Sequence, residues 1–386
     1  MVKPSHSLCS ILTRFGALAV VSLPAAALAT PEVTPLGGLE TSLQWNQANP
    51  ASRTTALRGY DQRANSFTLE SVTLGAAVST PTFAARLVLQ EGTVSAAAWA
   101  GEPTLDASAG GVGSDAGLWR HIREAWASVR IAPDGAAPPN GDDAGTLTLG
   151  AGLFLSPIGP ESLDNRDNWF WSRSNVFVAL PAYHTGVDAR LALGCGWAIR
   201  AGVFNGWNSV VDNNDAKSVM VQATYASDAV NASVLYFGGI ERSSNTIEGE
   251  AWRHLFDANL TLALTDHFTW LIHTNAGLES HELGVSTWFA GQTAVRLSLS
   301  EGLAVGLRAD LVREWLPEVD ADEPSPSSIL LPTDWLSSQT LVLSWSPEEI
   351  WSLRLEGRHD IASTKVFDSA TARTQTTLTL GLVARL

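Results

Sequence analysis

Polar side chains, four of them charged, occupy every second position in the segment WSLRLEGRHD, residues 351–360. Arg354, Glu356, Arg358 and Asp360 alternate there with mostly apolar residues. Guanidinium groups donate hydrogen bonds and carboxylates accept them, so rows of these groups can replace water around ions and dipolar solutes. Because successive side chains of a strand point to opposite faces, the segment predicts a strand with one ionised face and one apolar face.

The histidines and serines form no recognised catalytic or metal-binding motif. Histidines stand at positions 121, 184, 254, 267, 273, 281 and 359, and none belongs to an H-E-x-x-H pair. No G-x-S-x-G segment supplies a nucleophile. We therefore predict no enzyme, no metal site and no cofactor, and we interpret His184 as a structural hydrogen-bonding residue. A hydrolase built from a serine and a histidine on adjacent strands is a remote alternative.

The segment DNND, Asp212 to Asp215, offers several oxygen ligands of the kind that calcium requires. It lacks the spaced acidic array of a dedicated calcium loop. A solvated turn is the favoured interpretation.

The segment 155–182 is the third long connection along the chain and is rich in charged and aromatic residues. We predict that it folds into the interior and forms the narrowest point; the alternative is an outward-lying loop stabilised by its own aromatics. The predicted lining of this point is Glu161, Asp164, Arg166, Asp167 and Arg173, facing Arg190 and Arg200. The predicted charged wall is Arg308, Asp310, Arg354, Glu356 and Arg358.

The elements that position these residues follow from a repeated period of two. Leu297 and Leu299 alternate with Arg296 and Ser298, and the same pattern recurs along the chain. Helical spacing fits none of these runs, so the pattern predicts about 16 strands. Short connections are predicted at 79–81, 132–145, 194–196, 227–230, 265–267, 300–302 and 346–350. They alternate with long ones near 46–62, 92–118, 155–182, 205–216, 240–250, 279–286, 315–337 and 361–371.

Tryptophans mark the predicted strand ends on the apolar side. Membrane barrels carry a girdle of aromatic residues at each of their two water interfaces. Tryptophans also gather at strand ends in soluble sandwiches, which is the alternative. Trp126 and Trp288 break the parity and are expected to face the interior. The predicted girdle is Trp45, Trp119, Trp197, Trp252, Trp270, Trp315, Trp345 and Trp351.

The first 29 residues have the pattern of a secretory signal peptide. Lys3 and Arg14 precede a short apolar run, which ends in the small-residue segment Ala27–Ala29. A transmembrane anchor is the alternative, but it needs about 20 apolar residues. After removal of this leader Cys195 is the one remaining cysteine, so an intramolecular disulfide is excluded. The net charge of −15 argues against nucleic acid as a partner and predicts a mild preference for cations.

The strongly charged strand faces must meet water, because desolvating several charges costs several kcal/mol each. A closed sheet satisfies every backbone group internally and can expose an apolar outer face to lipid. We therefore predict an all-β fold over residues 30–386, a transmembrane antiparallel up-and-down β-barrel with short periplasmic turns and long outer loops.

Several segments resemble the OmpL-like putative β-barrel porin family of bacterial outer membranes. They are GLFLSPIGPE (152–161), NWFWSRSNVF (168–177), PAYHTGVDARLAL (181–193) and NGWNSVVDNNDAK (205–217), with RGYDQRANSFTLESVTLG (58–75) and LRLEGRHD near the two ends. Two departures are Leu153, where lysine is expected, and Leu386, where an aromatic terminus is usual.

The resemblance implies a porin in the outer membrane of Gram-negative bacteria. Its expected action is passive diffusion of small hydrophilic solutes or ions through a charged lumen. Its expected partners are outer-membrane lipid, those solutes and further copies in a homotrimer. The alternative function is a plugged barrel with a surface-binding or structural role.

Overall fold

A computed structural model describes residues 30–102, 116–133, 144–242, 246–320, 322 and 324–385. Its strands are β1 (Glu32–Asn46), β2 (Ser66–Ser79), β3 (Phe83–Glu91), β4 (Ile122–Ile131), β5 (Leu147–Leu155), β6 (Tyr183–Gly194), β7 (Trp197–Phe204), β8 (Ser218–Ala226), β9 (Val230–Ile240), β10 (Trp252–Ala263), β11 (Phe268–His281), β12 (Gly284–Ser300), β13 (Leu303–Trp315), β14 (Trp335–Glu348), β15 (Trp351–Ala362) and β16 (Thr374–Arg385). The predicted leader, residues 1–29, and the terminal Leu386 lie outside the described residues.

The strands form one closed barrel in which every strand pairs antiparallel with its sequence neighbours. β1 closes the ring against β16, in a register that runs from Gly38 opposite Arg385 to Asn46 opposite Thr377. Closure removes the unpaired edges that an open sheet would expose to lipid. The predicted up-and-down barrel of about 16 strands is confirmed.

Helical structure in the described ranges is limited to short segments within the long loops. They are α1 (Thr93–Ala98), α2 (Ala116–Trp119), α3 (Asn175–Val178) and a single 3-10 turn, Asn165–Asp167. None of the helices described is long and apolar enough to cross a membrane.

β15 places its two kinds of side chain in two different environments. Arg354, Glu356 and Arg358 are buried on the inward face, whereas Leu355 is exposed on the outward face. The exposed leucines of β13, β14 and β16 share this outward face, which is the reverse of a soluble protein. Buried charges are costly unless they are paired, so the inward face requires partners inside the barrel.

The two ends of the barrel carry connections of different length. At the short-turn end the strands are joined by 80–82, 195–196, 227–229, 264–267, 301–302 and 349–350. At the long-loop end they are joined by 47–65, 92–121, 156–182, 205–217, 241–251, 316–334 and 363–373. The alternation agrees with the prediction, with one exception.

The predicted long loop at 279–286 is wrong. β11 and β12 are joined by the two residues Glu282 and Leu283, and the ladder continues to the pair His281 and Gly284. Gly284 has a φ of +126°, a conformation that glycine adopts without strain and other residues rarely do. The tight reversal at Gly284 lets the polar residues nearby stay in the strands instead of forming a loop.

Tryptophans project outward near both ends of the barrel. Trp197, Trp270 and Trp345 are exposed at the short-turn end, and the half-buried Trp351 packs edge-on against Trp345 at 5.3 Å. The exposed tryptophans at the long-loop end are Trp45, Trp252 and Trp315. Amphipathic indole rings at these heights suit two lipid–water interfaces.

Trp119 departs from the predicted girdle. It ends α2 instead of lying in a strand, and its side chain packs against the buried cluster that contains Trp99 and Tyr183. The loop segment folds back over the barrel interior, so the parity of a strand does not apply to it. Trp126 and Trp288 face inward, where their Nε1 groups donate to Glu124 at 3.1 Å and to Asn275 at 3.1 Å.

The outward face can be tested with Leu380 in the middle of β16, which is 48% exposed. Leu380→Arg should lower the free energy of unfolding in lipid vesicles by about 2–4 kcal/mol, because a guanidinium replaces an apolar side chain at the bilayer midplane. Urea titration of the folded barrel measures this change. The control Asp266→Arg lies in a short turn and should change the value little; equal effects at both positions would contradict the assignment of lipid to this face.

Candidate pore constriction

The connection between β5 and β6, residues 156–182, folds into the barrel and is called the inward loop below. Its Asn165 backbone N–H donates to Glu40 of β1 at 2.7 Å, and its Trp171 N–H donates to Glu356 of β15 at 2.6 Å. β14 and β15 lie about half a turn around the closed ring from β5 and β6. The inward loop therefore crosses the bore and attaches to the opposite wall.

Arginines of that wall hold the carbonyl groups of the inward loop. Arg308 Nη1 donates to the Ser172 carbonyl at 2.8 Å and to Glu161 Oε1 at 3.0 Å. Arg358 Nη1 donates to the Arg173 carbonyl at 2.6 Å. Hydrogen bonds to charged groups contribute about 1.5–3 kcal/mol each. These bonds fix the position of the loop across the bore.

Carboxylates of the same wall hold polar groups of the inward loop. Glu356 accepts a second backbone hydrogen bond from the Ser172 N–H at 3.0 Å. Asp310 accepts from the Asn175 side-chain amide at 2.8 Å and from the Ser338 hydroxyl at 2.5 Å. The inward loop thus supplies partners to these buried charges of the wall, as their burial requires.

Two glycines of the wall leave room for aromatic side chains of the inward loop. A Cβ atom at Gly381 would come within 2.0 Å of the Trp171 ring. A Cβ atom at Gly306 would come within 3.2 Å of Phe170, whose ring lies 4.6 Å from the Arg308 guanidinium. The loop is therefore docked by shape as well as by charge.

Arg173 does not line a solute path in this arrangement. Its side chain is buried, and its Nε and Nη1 donate to the carbonyls of Ser162 and Trp171, both at 3.1 Å. Its guanidinium also lies 5.4 Å from the Tyr60 ring. The prediction for Arg173 is corrected: its donors are used up inside the loop, where they hold the loop backbone together.

The acidic residues of the inward loop differ in access to water. Burial acts to raise the pKa of Glu161, but Arg308 and hydrogen bonds from Ser174 outweigh it and hold that pKa below its ordinary value. Asp164 is buried and binds Arg166 at 2.8 Å. Their charges are neutralised by neighbours, so they contribute little to the field in the bore.

Asp167 and Arg166 form the part of the inward loop that reaches toward the short-turn end. The Asp167 side chain is 57% exposed, and burial together with Asp164 raises its pKa. The Arg166 side chain is less exposed and contacts Asp167 at 4.0 Å. Of the five predicted lining residues in the loop, these two are best placed to meet a solute.

The wall across the bore from the attached loop carries a row of arginines. The strand register places Arg130, Thr148, Arg190, Arg200 and Gln222 side by side on β4 to β8. Arg200 binds Asp188 at 2.5 Å. The side chains of Arg190, which is exposed, and Arg130 have no ion-pair or hydrogen-bond partner among the residues described. Free positive charge therefore faces the bore on this side.

Other long loops cover the inward loop from the long-loop end. Trp99, next to α1, stacks on Tyr183 at 4.4 Å, and Tyr60 contacts Phe177 of the inward loop at 5.8 Å. The Tyr183 hydroxyl donates to Glu102 at 2.6 Å. The outer half of the interior is thus packed with side chains over part of its cross-section.

Ser156 and His184 meet at the base of the inward loop, at 3.1 Å from Oγ to Nε2. His184 is fully buried, and its Nδ1 faces the Gly206 carbonyl at 3.4 Å, so no carboxylate orients the ring. At the predicted DNND segment, Asp212 forms an ion pair with Lys217. No set of three or more metal-ligating side chains is grouped together in the described part of the chain.

Sequence reasoning missed a second polar chain that reaches the inward loop. Asp257 of β10 contacts His273 of β11 at 2.6 Å, and both are buried. Gln292 of β12 lies 3.2 Å from His273 and donates to Glu161 at 3.0 Å. All three wall residues have the inward parity of their strands, which was the available signal. Their mutual contact depends on register, which the sequence does not display.

Comparisons with known proteins agree with the barrel fold. A family model described as "Putative beta-barrel porin-2, OmpL-like" matches residues 33–386. A search of curated proteins finds no significant relative.

Solved porin structures share the fold at low sequence identity. The anion-selective porin from Comamonas acidovorans is 12% identical with a TM-score of 0.57, covering 92% of this chain and 100% of that chain. Salmonella typhi OmpF in complex with daunomycin is 9% identical with a TM-score of 0.57, covering 92% and 97%. In-vitro folded OmpT of Vibrio cholerae, in trimer form, is 10% identical with a TM-score of 0.52, covering 92% and 99%.

The docking of the inward loop can be tested at Gly381. Gly381→Ala should displace Trp171, since the added Cβ would lie 2.0 Å from its ring, and overpacking of this kind costs about 1–3 kcal/mol. A displaced loop widens the bore, so single-channel conductance should rise. Gly357→Ala on the neighbouring strand is the matched control, because its Cβ would meet no atom within 4 Å. Unchanged conductance in Gly381→Ala would argue against docking of Trp171 on Gly381.

Proposed function

The chain belongs to the OmpL-like β-barrel porin family, and we propose that the inward loop sets the size and charge of its pore. As an outer-membrane porin, it allows small hydrophilic solutes or ions to diffuse passively through the charged lumen. The attachment of the inward loop to the wall opposite its origin carries this proposal. A segment held there narrows the bore whatever the mobility of the outer loops.

The charges that would meet a solute are a subset of those expected from the sequence. Arg308, Glu356 and Arg358 hold the loop, so we assign them to its support. Asp167 and Arg166 on the loop, with Arg190 on the arginine row, are the proposed lining of the narrow region. Acidic and basic groups at this spacing would orient dipolar solutes and screen ions by charge.

We propose that the protein is a channel without enzymatic activity. The Ser156–His184 contact supports this, because His184 is fully buried and its ring faces a carbonyl group, whereas a catalytic base needs an orienting carboxylate. The plugged barrel is the second candidate, and the packing of Trp99 on Tyr183 and of Tyr60 on Phe177 of the inward loop favours it. A plugged barrel would leave purified protein without conductance.

Conductance recordings in planar lipid bilayers distinguish an open porin from a plugged barrel. The wild-type protein should give stepwise conductance that increases with salt concentration. Arg190→Gln removes a positive charge from the proposed lining, so the reversal potential in a salt gradient should shift in the direction of greater cation selectivity. Asp167→Asn removes a negative charge and should shift it in the direction of greater anion selectivity. A folded protein that gives no steps, or two variants that both behave like wild type, would contradict the assigned pore.

We further propose a homotrimer, the form recorded for the Vibrio cholerae OmpT structure. The candidate subunit surface is the outward side of β3 to β5, where Ala85, Ala127 and Ala151 line a shallow groove of about 500 Å³. Small side chains there let the backbones of two subunits approach closely.

Ala127→Trp should therefore reduce the trimer fraction by at least severalfold, because the indole fills the groove. Size and mass measured by light scattering in detergent give the readout. Ala201→Trp, on the exposed outward face of β7, is the control and should leave assembly unchanged. A wild-type monomer, or equal loss in both variants, would contradict this surface.

A further inference from the structure

A cavity of about 310 Å³ lies at the short-turn end beneath the inward loop. Its walls come from the loop and from β12, β14, β15 and β16. Its principal lining residues are Arg166, Asp167, Trp169, Arg296, Arg354 and Arg385. Four guanidinium groups thus gather around one water-accessible space, which we call the inner vestibule.

Arg296 of β12 carries an unbalanced charge into this space. Its side chain is half-buried, and it has no ion pair or hydrogen bond with any residue that the structure describes. A guanidinium offers five donors in a plane and remains charged at all ordinary pH values. A partly desolvated guanidinium without a partner gains the most from an anion that supplies two acceptor oxygens.

Arg354 of β15 is a second candidate for binding an anion in this space. It is 6% exposed, and its Nη1 donates to the carbonyls of Asn165 at 2.7 Å and Phe170 at 3.2 Å. Both partners are neutral, and the opposite charges nearby, Glu356 and Glu40, are themselves held by backbone N–H groups of the inward loop. The remaining nitrogens of Arg354 form no hydrogen bond within the described part of the chain. Arg354 and Arg296 both line the inner vestibule, so one anion in this space can meet both guanidinium groups.

The acidic residues that line the inner vestibule are in contact with solvent. Glu348, the last residue of β14, and Glu349, in the turn that follows, are both exposed. Asp167 is mostly exposed and shares its charge with Arg166. Charges in contact with bulk water are screened, whereas partly buried charges act at a lower effective dielectric constant. The field inside the inner vestibule is therefore dominated by its arginines, despite the negative net charge of the chain.

We propose that Arg296 and Arg354 form a binding subsite for anionic solutes bearing a carboxylate or phosphate group, on the short-turn side of the inward loop. This inference rests on the proposed function and adds a substrate class to it. Arg166 and Arg385 flank the subsite, and the ring of Trp169 provides an apolar side. The subsite lies on one side of the narrow region, so its effects depend on the side from which an anion arrives.

Equilibrium binding tests the subsite without requiring conduction. Detergent-solubilised wild-type protein, titrated with inorganic phosphate and separately with acetate in a calorimeter, should bind at least one of them with one site per chain. Arg296→Gln should weaken that binding at least tenfold. Arg296 makes no contact with the inward loop that the structure describes, so this change leaves the loop anchors in place.

The matched control is Arg313→Gln. Arg313 is exposed on the outward side of β13, where it lies 4.8 Å from the Trp315 ring. The Arg313→Gln substitution removes the same charge as Arg296→Gln, but at a site remote from the inner vestibule, so it should leave anion binding unchanged. Arg354→Lys, which keeps the charge but loses the planar donors, should weaken binding to a lesser degree than Arg296→Gln.

Bilayer recordings give the second readout. The better-bound anion should reduce chloride current at least twofold more when added from the short-turn side than from the long-loop side, and Arg296→Gln should abolish this difference. Absence of binding to both anions, or equal binding by wild type and Arg296→Gln, would overturn the subsite. A protein that conducts but does not bind refutes the subsite alone; one that binds but does not conduct refutes the proposed pore alone.

Discussion

The structure depends on the requirement that every backbone N–H and carbonyl group in lipid be paired within the sheet. A peptide group left unpaired in hydrocarbon costs several kcal/mol. The pairing of β1 with β16 closes the ring and meets that requirement at the two strands that would otherwise be edges. Closure also creates two separate faces, so lipid takes the apolar side and the polar side is enclosed.

The enclosed face then has its own requirement, because its charges need partners. Arginines of the wall donate hydrogen bonds to carbonyl groups of the inward loop, and carboxylates of the wall accept hydrogen bonds from its N–H groups. This exchange explains how Arg308, Arg358 and Glu356 are tolerated at almost complete burial. It also means that a strand face rich in charge need not be a solute path. Most of its charges serve to hold the segment that narrows the bore.

The two ends of the barrel differ in chemistry as well as in loop length. Toward the long-loop end, Trp99 and Tyr60 of other loops pack in one aromatic cluster with Phe177 of the inward loop. Toward the short-turn end, arginines such as Arg296 and Arg190 keep their charges unpaired within the described residues. An interior that is packed on one side and charged on the other favours a direction-dependent response to charged solutes. Net charge, which counts exposed loop carboxylates equally, does not report this asymmetry.

The barrel could be predicted from local sequence, because a strand has a period of two and each residue's face follows from its position alone. The alternation in 351–360 predicted which side chains turn inward, and the spacing of turns predicted the number of strands and the two kinds of end. It misjudged 279–286, where polar residues stay paired around Gly284, and Trp119, which lies in a loop that folds back.

The roles of the inward-facing residues could not be predicted in this way, because they depend on contacts made in the folded barrel. Arg173, Arg190 and Arg296 are the same residue type on polar segments. Arg173 holds its own loop, whereas the side chains of the other two have no partner among the residues described. The difference arises from the place at which the inward loop attaches to the opposite wall. That attachment depends on contacts between residues more than a hundred positions apart, such as Trp171 with Glu356. Local periodicity carries no information about such contacts.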